Sequence, residues 1–182
     1  MGRYVALLRG VNVGGNKLVP MADLRALLEK LGCTDVATLV QSGNVVFTSK
    51  LKSAAAVIKL LEPAIAKHFG FDVPVLVRTR DELAAVIANN PLPDAVEDPS
   101  RFLIAFLSEP PDPGKLASIS PTPYLPDEFR VVGREIYARF AVGINDSKLA
   151  KVLLAPSRLG VTPTTRNWNT VTKLLVLADQ AA

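Results

Sequence analysis

Two short apolar runs, residues 3–10 (RYVALLRG) and 101–108 (RFLIAFLS), each head the same succession of elements, and this repetition constrains the fold most. In the first, an apolar run with β-forming Tyr4 and Val5 reads as a buried strand over 3–8. Residues 9–16 (RGVNVGGN) follow as a loop, because glycine and asparagine tolerate positive φ. Pro20 then stands at a helix start, where its missing donor costs nothing. Met21, Leu24, Leu27, Leu28 and Leu31 recur at helical spacing until Gly32 stops them. The β-rich runs 36–40 and 44–48, separated by Gln41-Ser42-Gly43, predict a hairpin. A second helix is expected over about 53–69 with Val57, Leu60, Leu61 and Ile65 inward, and with Pro63 kinking or breaking it. Residues 73–78 complete a strand–helix–strand–strand–helix–strand order, that of a ferredoxin-like βαββαβ unit.

Thr79 and Glu82 have capping-box spacing, which predicts a linking helix over 81–89. Nine of the 14 prolines then fall between Pro91 and Pro126, so this region reads as a linker with long loops around one strand, 102–107. A short helix over 114–119 and a hairpin of 128–132 with 135–141, turning at Gly133-Arg134, are expected next. A helix over 147–155 capped by Asp146 or Ser147, an extended stretch over 161–165 and a last helix over 168–179 complete the chain. That helix carries Trp168, Val171, Leu174, Leu175 and Ala178 on one face. The expectation is an α+β fold of two tandem ferredoxin-like units with extra helices, 1–95 (with the linking helix) and 96–182. Because neither is large enough to be comfortably stable alone, they are expected to pack together.

Composition narrows the function classes. The 182 residues are 49% hydrophobic and 21% charged, an ordinary globular balance that excludes disordered, collagen-like and coiled-coil chains. No apolar run is long enough to span a bilayer, and the N-terminus lacks signal-peptide organisation, so a cytoplasmic, bacterial-type protein is expected. With one cysteine (Cys33) and one histidine (His68), no intrachain disulfide or cysteine-based metal cage can form; no metal or cofactor is expected. Net charge is +4. Residues 91–128 hold two basic and seven acidic side chains, and 130–173 hold eight and two. The basic stretch can attract phosphates or be a solvated face; aromatics of only 6% and the absence of an RNP motif disfavour nucleic acid.

Three polar segments stand out. In LLRGVNVGGNK (7–17), a strand-to-helix loop can aim backbone donors at an anion, with Arg9 or Lys17 adding charge. It lacks both the Walker and the GxGxxG spacing, and its glycines equally suit a tight crossover. In QSGNVVF (41–47), Gln41, Ser42 and Asn44 are ligand candidates, though turn formation accounts for all of them. In TTRNWNT (164–170), Thr165 or Asn167 can cap the last helix, while Arg166 at a helix start opposes the macrodipole and invites a carboxylate or anion. His68 reads as a helix-end charge and Cys33 as an inert thiol. Asp81 and Glu82 are first-turn carboxylates. Arg134, Tyr137 and Arg139 form a polar strand face that could meet RNA.

These three motifs, together with VPMADLRALLEKLG, resemble in order the bacterial family known as domain of unknown function 1697. The resemblance implies a duplicated ferredoxin-like arrangement and no established activity. Its recurring polar positions fall on Arg9, Asn12, Gly14, Gly15, Lys17, Gln41, Ser42, Asn44, Arg166, Asn167, Trp168 and Asn169. In a ferredoxin-like unit the first and third strands are neighbours, which brings Arg9 and Asn44 to one sheet edge. Arg9, Lys17, Asn44, Arg166 and Asn169 are then expected around one cleft, rich in donors and positive charge but without a general base. Such a cleft suits binding an anionic or phosphorylated small molecule better than turning it over. The alternatives are nucleic-acid binding through 130–173, an enzyme drawing a carboxylate such as Glu135 or Asp146 into the cleft, or a structural protein. No membrane partner is expected, and one sequence sets no oligomeric state.

Overall fold

The computed structural model describes residues 1–180. The protein is α+β, with two four-stranded antiparallel sheets and several helices. It divides into two compact units, one of Met1–Ala85 with the stretch from Thr172 onward, the other of Val86–Val171.

The first unit contains β1 (Gly2–Leu8), α1 (Met21–Lys30), β2 (Thr34–Leu39), β3 (Asn44–Ser49), α2 (Ala54–Phe69) and β4 (Val75–Thr79). Its strand order is β2-β3-β1-β4. Leu7 stands opposite Asn44 on one side and Leu76 on the other; Val5 stands opposite Val46 and Arg78. Tyr4, Ala6, Leu8, Val45, Phe47, Val75 and Val77 form one face of the sheet and pack with Leu24 and Leu28 of α1 and Val57, Leu61 and Ile65 of α2. Val5, Leu7, Val46, Asn44 and Arg78, on the other face, are equally buried, which is why these strands read as unbroken apolar runs rather than alternating ones.

Two expectations for this unit change in detail. Helix α2 runs unbroken through Pro63. The N–H that proline lacks would have met the carbonyl of Lys59, and both residues are exposed, so water can take that acceptor. Cys33 is buried in the core, where desolvation raises its thiol pKa, the hydrogen bond with Ser49 opposing; this fits an unreactive thiol. The capping box is present as read: Glu82 N–H donates to Thr79 Oγ1 (3.1 Å) and Thr79 N–H to Glu82 Oε2 (2.8 Å), at the start of α3 (Arg80–Ala88).

The second sheet is built from β5 (Phe102–Phe106), β6 (Glu128–Val132), β7 (Glu135–Arg139) and β8 (Thr164–Asn167), in the order β6-β7-β5-β8. Short helices α4 (Pro113–Ala117), α5 (Lys148–Leu153) and α6 (Pro156–Leu159) accompany it; the helix expected over 147–155 is α5, and α6 follows it. Pro156 keeps the two apart, because it disfavours helical backbone at Ala155 and starts α6. Ser147 caps α5 through Ala150 N–H (2.9 Å) and donates to buried Asp127 (2.6 Å), which also accepts from Ala141 N–H. The last helix, α7 (Trp168–Asp179), leaves this unit at Val171 and continues in the first.

Candidate ligand-binding site

The glycine-rich segment leaves β1 as a miniature hairpin. Val13 and Asn16 form an antiparallel bridge around Gly14 and Gly15, whose φ values of 62° and 75° are both positive, as a two-residue type I′ turn demands. The N–H groups of Asn12 and Asn16 are committed to the carbonyls of Lys17 and Val13, so this loop is no open phosphate cradle of the kind its glycines allow.

Asn12 holds the hairpin in place. Its side chain donates to the carbonyls of Val19 (2.9 Å) and Gln41 (2.6 Å) and accepts from Val19 N–H (2.8 Å), tying the loop to the start of α1 and to the 40–43 turn. Asn44 is fully buried and donates to Leu39 O (3.1 Å) and Ser42 Oγ (3.2 Å). These two asparagines are therefore scaffold, buried or engaged, rather than ligand-facing donors. Lys17 donates to Asp72 O (2.7 Å) and lies 6.0 Å from the Phe71 ring centre, which draws in the loop before β4. Arg9, Gly14, Gly15, Lys17, Gln41 and Ser42 remain exposed at this end of the sheet. Three of the four non-glycine residues with positive φ among the described residues sit here as well, Asn12, Lys17 and Val40. For a β-branched residue such as Val40 this backbone is strained.

The third motif lies in the second unit and is largely strand. Arg166 belongs to β8, opposite Ile104, rather than to a helix-start turn; its Nη1 donates to Thr165 O (2.8 Å), and burial pulls its pKa down to about 10. Asn167 caps α7 by accepting from Thr170 N–H (2.9 Å). Trp168 is buried and stacks on Phe102 with ring centres 4.9 Å apart. Asn169 is exposed. Tyr137, read as part of an RNA-facing strand, is instead 1% exposed with its hydroxyl donating to Val86 O (2.7 Å), so it offers no ring for a base to stack on. Strand alternation located its face but could not say which face was covered. Among the described residues, no three His, Cys, Asp or Glu side chains group closely enough to hold a metal ion. No described helix is long and apolar enough to cross a membrane.

One group escaped the sequence reading: Arg3, Lys50, Lys52 and Arg80, which line a cavity at the other end of the first sheet. The only local signal is the pair of lysines bracketing Leu51 after β3.

No curated protein matches the chain. Among solved structures it is similar to the conserved bacterial protein SP0830 from Streptococcus pneumoniae, with 28% identity and a TM-score of 0.73, over 97% of this chain and 98% of that one. The family model described as protein of unknown function (DUF1697) matches residues 1–137, which takes in the first two polar motifs and stops before the third. With the greater part of its length matched, the chain belongs to the DUF1697 family.

Proposed function

We propose that this protein binds an anionic or phosphorylated small molecule at the loop end of its first unit, through Arg9, Lys17, Gln41, Ser42 and the exposed Gly14-Gly15 turn. The observation that carries this reading is the combination found there: two exposed cations on loops that contain no acidic residue, held by the three side-chain hydrogen bonds of Asn12. A backbone already held in place lowers the ordering cost of capturing an anion. The clustering of left-handed residues in the same loops favours a site over a passive connection. We further read the two units as tandem ferredoxin-like folds related by duplication, supported by the matching order of their strands. A cytoplasmic bacterial protein fits a chain whose one cysteine is buried and free.

The test is a thermal-shift screen of nucleotides and phosphorylated metabolites on wild type and the double variant Arg9→Ala/Lys17→Ala. Beside it, labelled single-stranded RNA and DNA are titrated over a salt series. A phosphorylated compound that raises Tm in wild type only is the expected result. Steeply salt-dependent oligonucleotide binding would put the basic stretch 130–173 ahead instead. A screen in which the double variant responds like wild type would remove the loop end from consideration.

A further inference from the structure

At the opposite end of the first sheet, where β1 begins and β3 and β4 finish, a cavity of about 510 Å³ opens. That volume is in the ordinary range for small-ligand sites. Four basic side chains line it, Arg3, Lys50, Lys52 and Arg80, against one carboxylate, Asp81.

The four cations are not equally available. Arg3 commits its guanidinium to the carbonyls of Ala178 (3.2 Å), Leu177 (3.2 Å) and Asp35 (2.8 Å) and to Thr48 Oγ1 (3.3 Å), and so closes the C-terminal end of α7. Arg80 bonds Asp179 (2.6 Å) and Asp81 (3.1 Å). Lys50 and Lys52 have no ion pair among the described residues, and both are exposed. The residue between them is pinned from two sides. Tyr4 Oη donates to Leu51 O (2.8 Å), and Leu51 N–H donates to Ser49 Oγ (3.2 Å). Gly2 leaves room for the ring that does this, since a Cβ there would meet Tyr4 at 2.7 Å. The cavity thus has a fixed wall from which two unneutralised ammonium groups project. Ammonium groups act on phosphate as point charges and need no bidentate geometry, so flexible stems on a rigid base suffice. Arg3, Lys50 and Lys52 are the lining cations without an ion-paired carboxylate among the described residues, and they suit a diphosphate, which carries about three negative charges at neutral pH.

We propose that this cavity is a second, separate anion site, selective for a diphosphate group, with Lys50 and Lys52 as its binding residues. The diphosphate can be free or carried by a nucleotide, and the two are told apart by comparing inorganic pyrophosphate with ADP.

The experiment is calorimetric titration of the full chain with pyrophosphate, ADP and sulfate at matched ionic strength. Wild type is compared with Lys50→Ala/Lys52→Ala, with Lys50→Arg/Lys52→Arg, and with Arg9→Ala/Lys17→Ala. Pyrophosphate or ADP is expected to bind more tightly than sulfate. The alanine pair should weaken binding by about tenfold or more, with the arginine pair retaining it. The loop-end variant removes any heat from the site proposed above, and the diphosphate binding that persists in it should be the part that the alanine pair abolishes, which separates the two sites. Equal affinity for sulfate, no measurable heat from either diphosphate, or an alanine pair that binds like wild type would overturn the assignment. So would a complete loss of diphosphate binding in the Arg9/Lys17 variant.

Discussion

At Gly43 two constraints coincide. Its φ is 72°, and a Cβ built there would meet Val11 Cγ2 at 2.6 Å and Leu8 Cβ at 2.7 Å. Gly14 shares the left-handed backbone but faces open space. Gly43→Ala is therefore expected to lose about 3–4 kcal/mol, combining left-handed strain with overpacking, and Gly14→Ala only about 1–2 kcal/mol. Urea denaturation of both variants measures the difference; equal losses would mean that the contacts with Val11 and Leu8 do not matter. At this scale the sequence showed which residues were unusual and left their roles open. Asn12 and Asn44 stood out as loop and turn formers that were also ligand candidates. Their work as internal ties depends on Gln41 O, Val19 and Leu39 O, groups that only the folded backbone delivers to them.

The elements themselves follow from local rules wherever the deciding residues are close in sequence. The Thr79–Glu82 capping box, the Ser147 cap of α5 and the hairpin turning at Gly133 each form as their spacing predicts. Pro63 departs from its rule because helix continuity is decided by packing: Leu61 and Ile65 bury on either side of it, and the missing hydrogen bond faces water. Restoring the donor with Pro63→Ala should stabilise the protein by about 1–2 kcal/mol, the helix-propensity gain reduced by the added freedom of the unfolded chain. A chemical-denaturation midpoint that moves down rather than up would show that the proline fits a backbone bend the helix needs. Arg166 was misplaced for a related reason. Nothing in TTRN distinguishes a loop from a short edge strand until β5 is there to pair with it.

Across the whole molecule, buried titrating groups couple stability to pH. Tyr137 is desolvated, with Glu135 adding repulsion, and its phenol is pushed up to about 12. The unfolded chain loses that proton near pH 10, so between about 10 and 12 the unfolded state binds fewer protons and stability falls as pH rises. The contribution, about 2–3 kcal/mol, is fully present below pH 10 and gone above 12. Tyr137→Phe should therefore show a shallower decline than wild type over that window in urea titrations, although it is less stable at pH 8 through loss of the bond to Val86 O. Parallel slopes would refute the burial argument. The opposite trend from Arg166, whose lowered pKa relieves a burial cost above pH 10, is common to both proteins and cancels. The sequence by itself determined the α+β class, the repeated order of strands and helices, the caps and turns, and the family. Each of these is encoded by periodicity, glycine and proline placement, or motifs within a few residues of one another. Only the tertiary structure decided that Tyr137 is buried and Arg166 half-buried, that Asn12 and Asn44 are committed internally, and that four basic residues far apart in sequence line one cavity. Burial and charge proximity are properties of surfaces brought together across the sheet, and a linear pattern specifies a face without specifying what covers it.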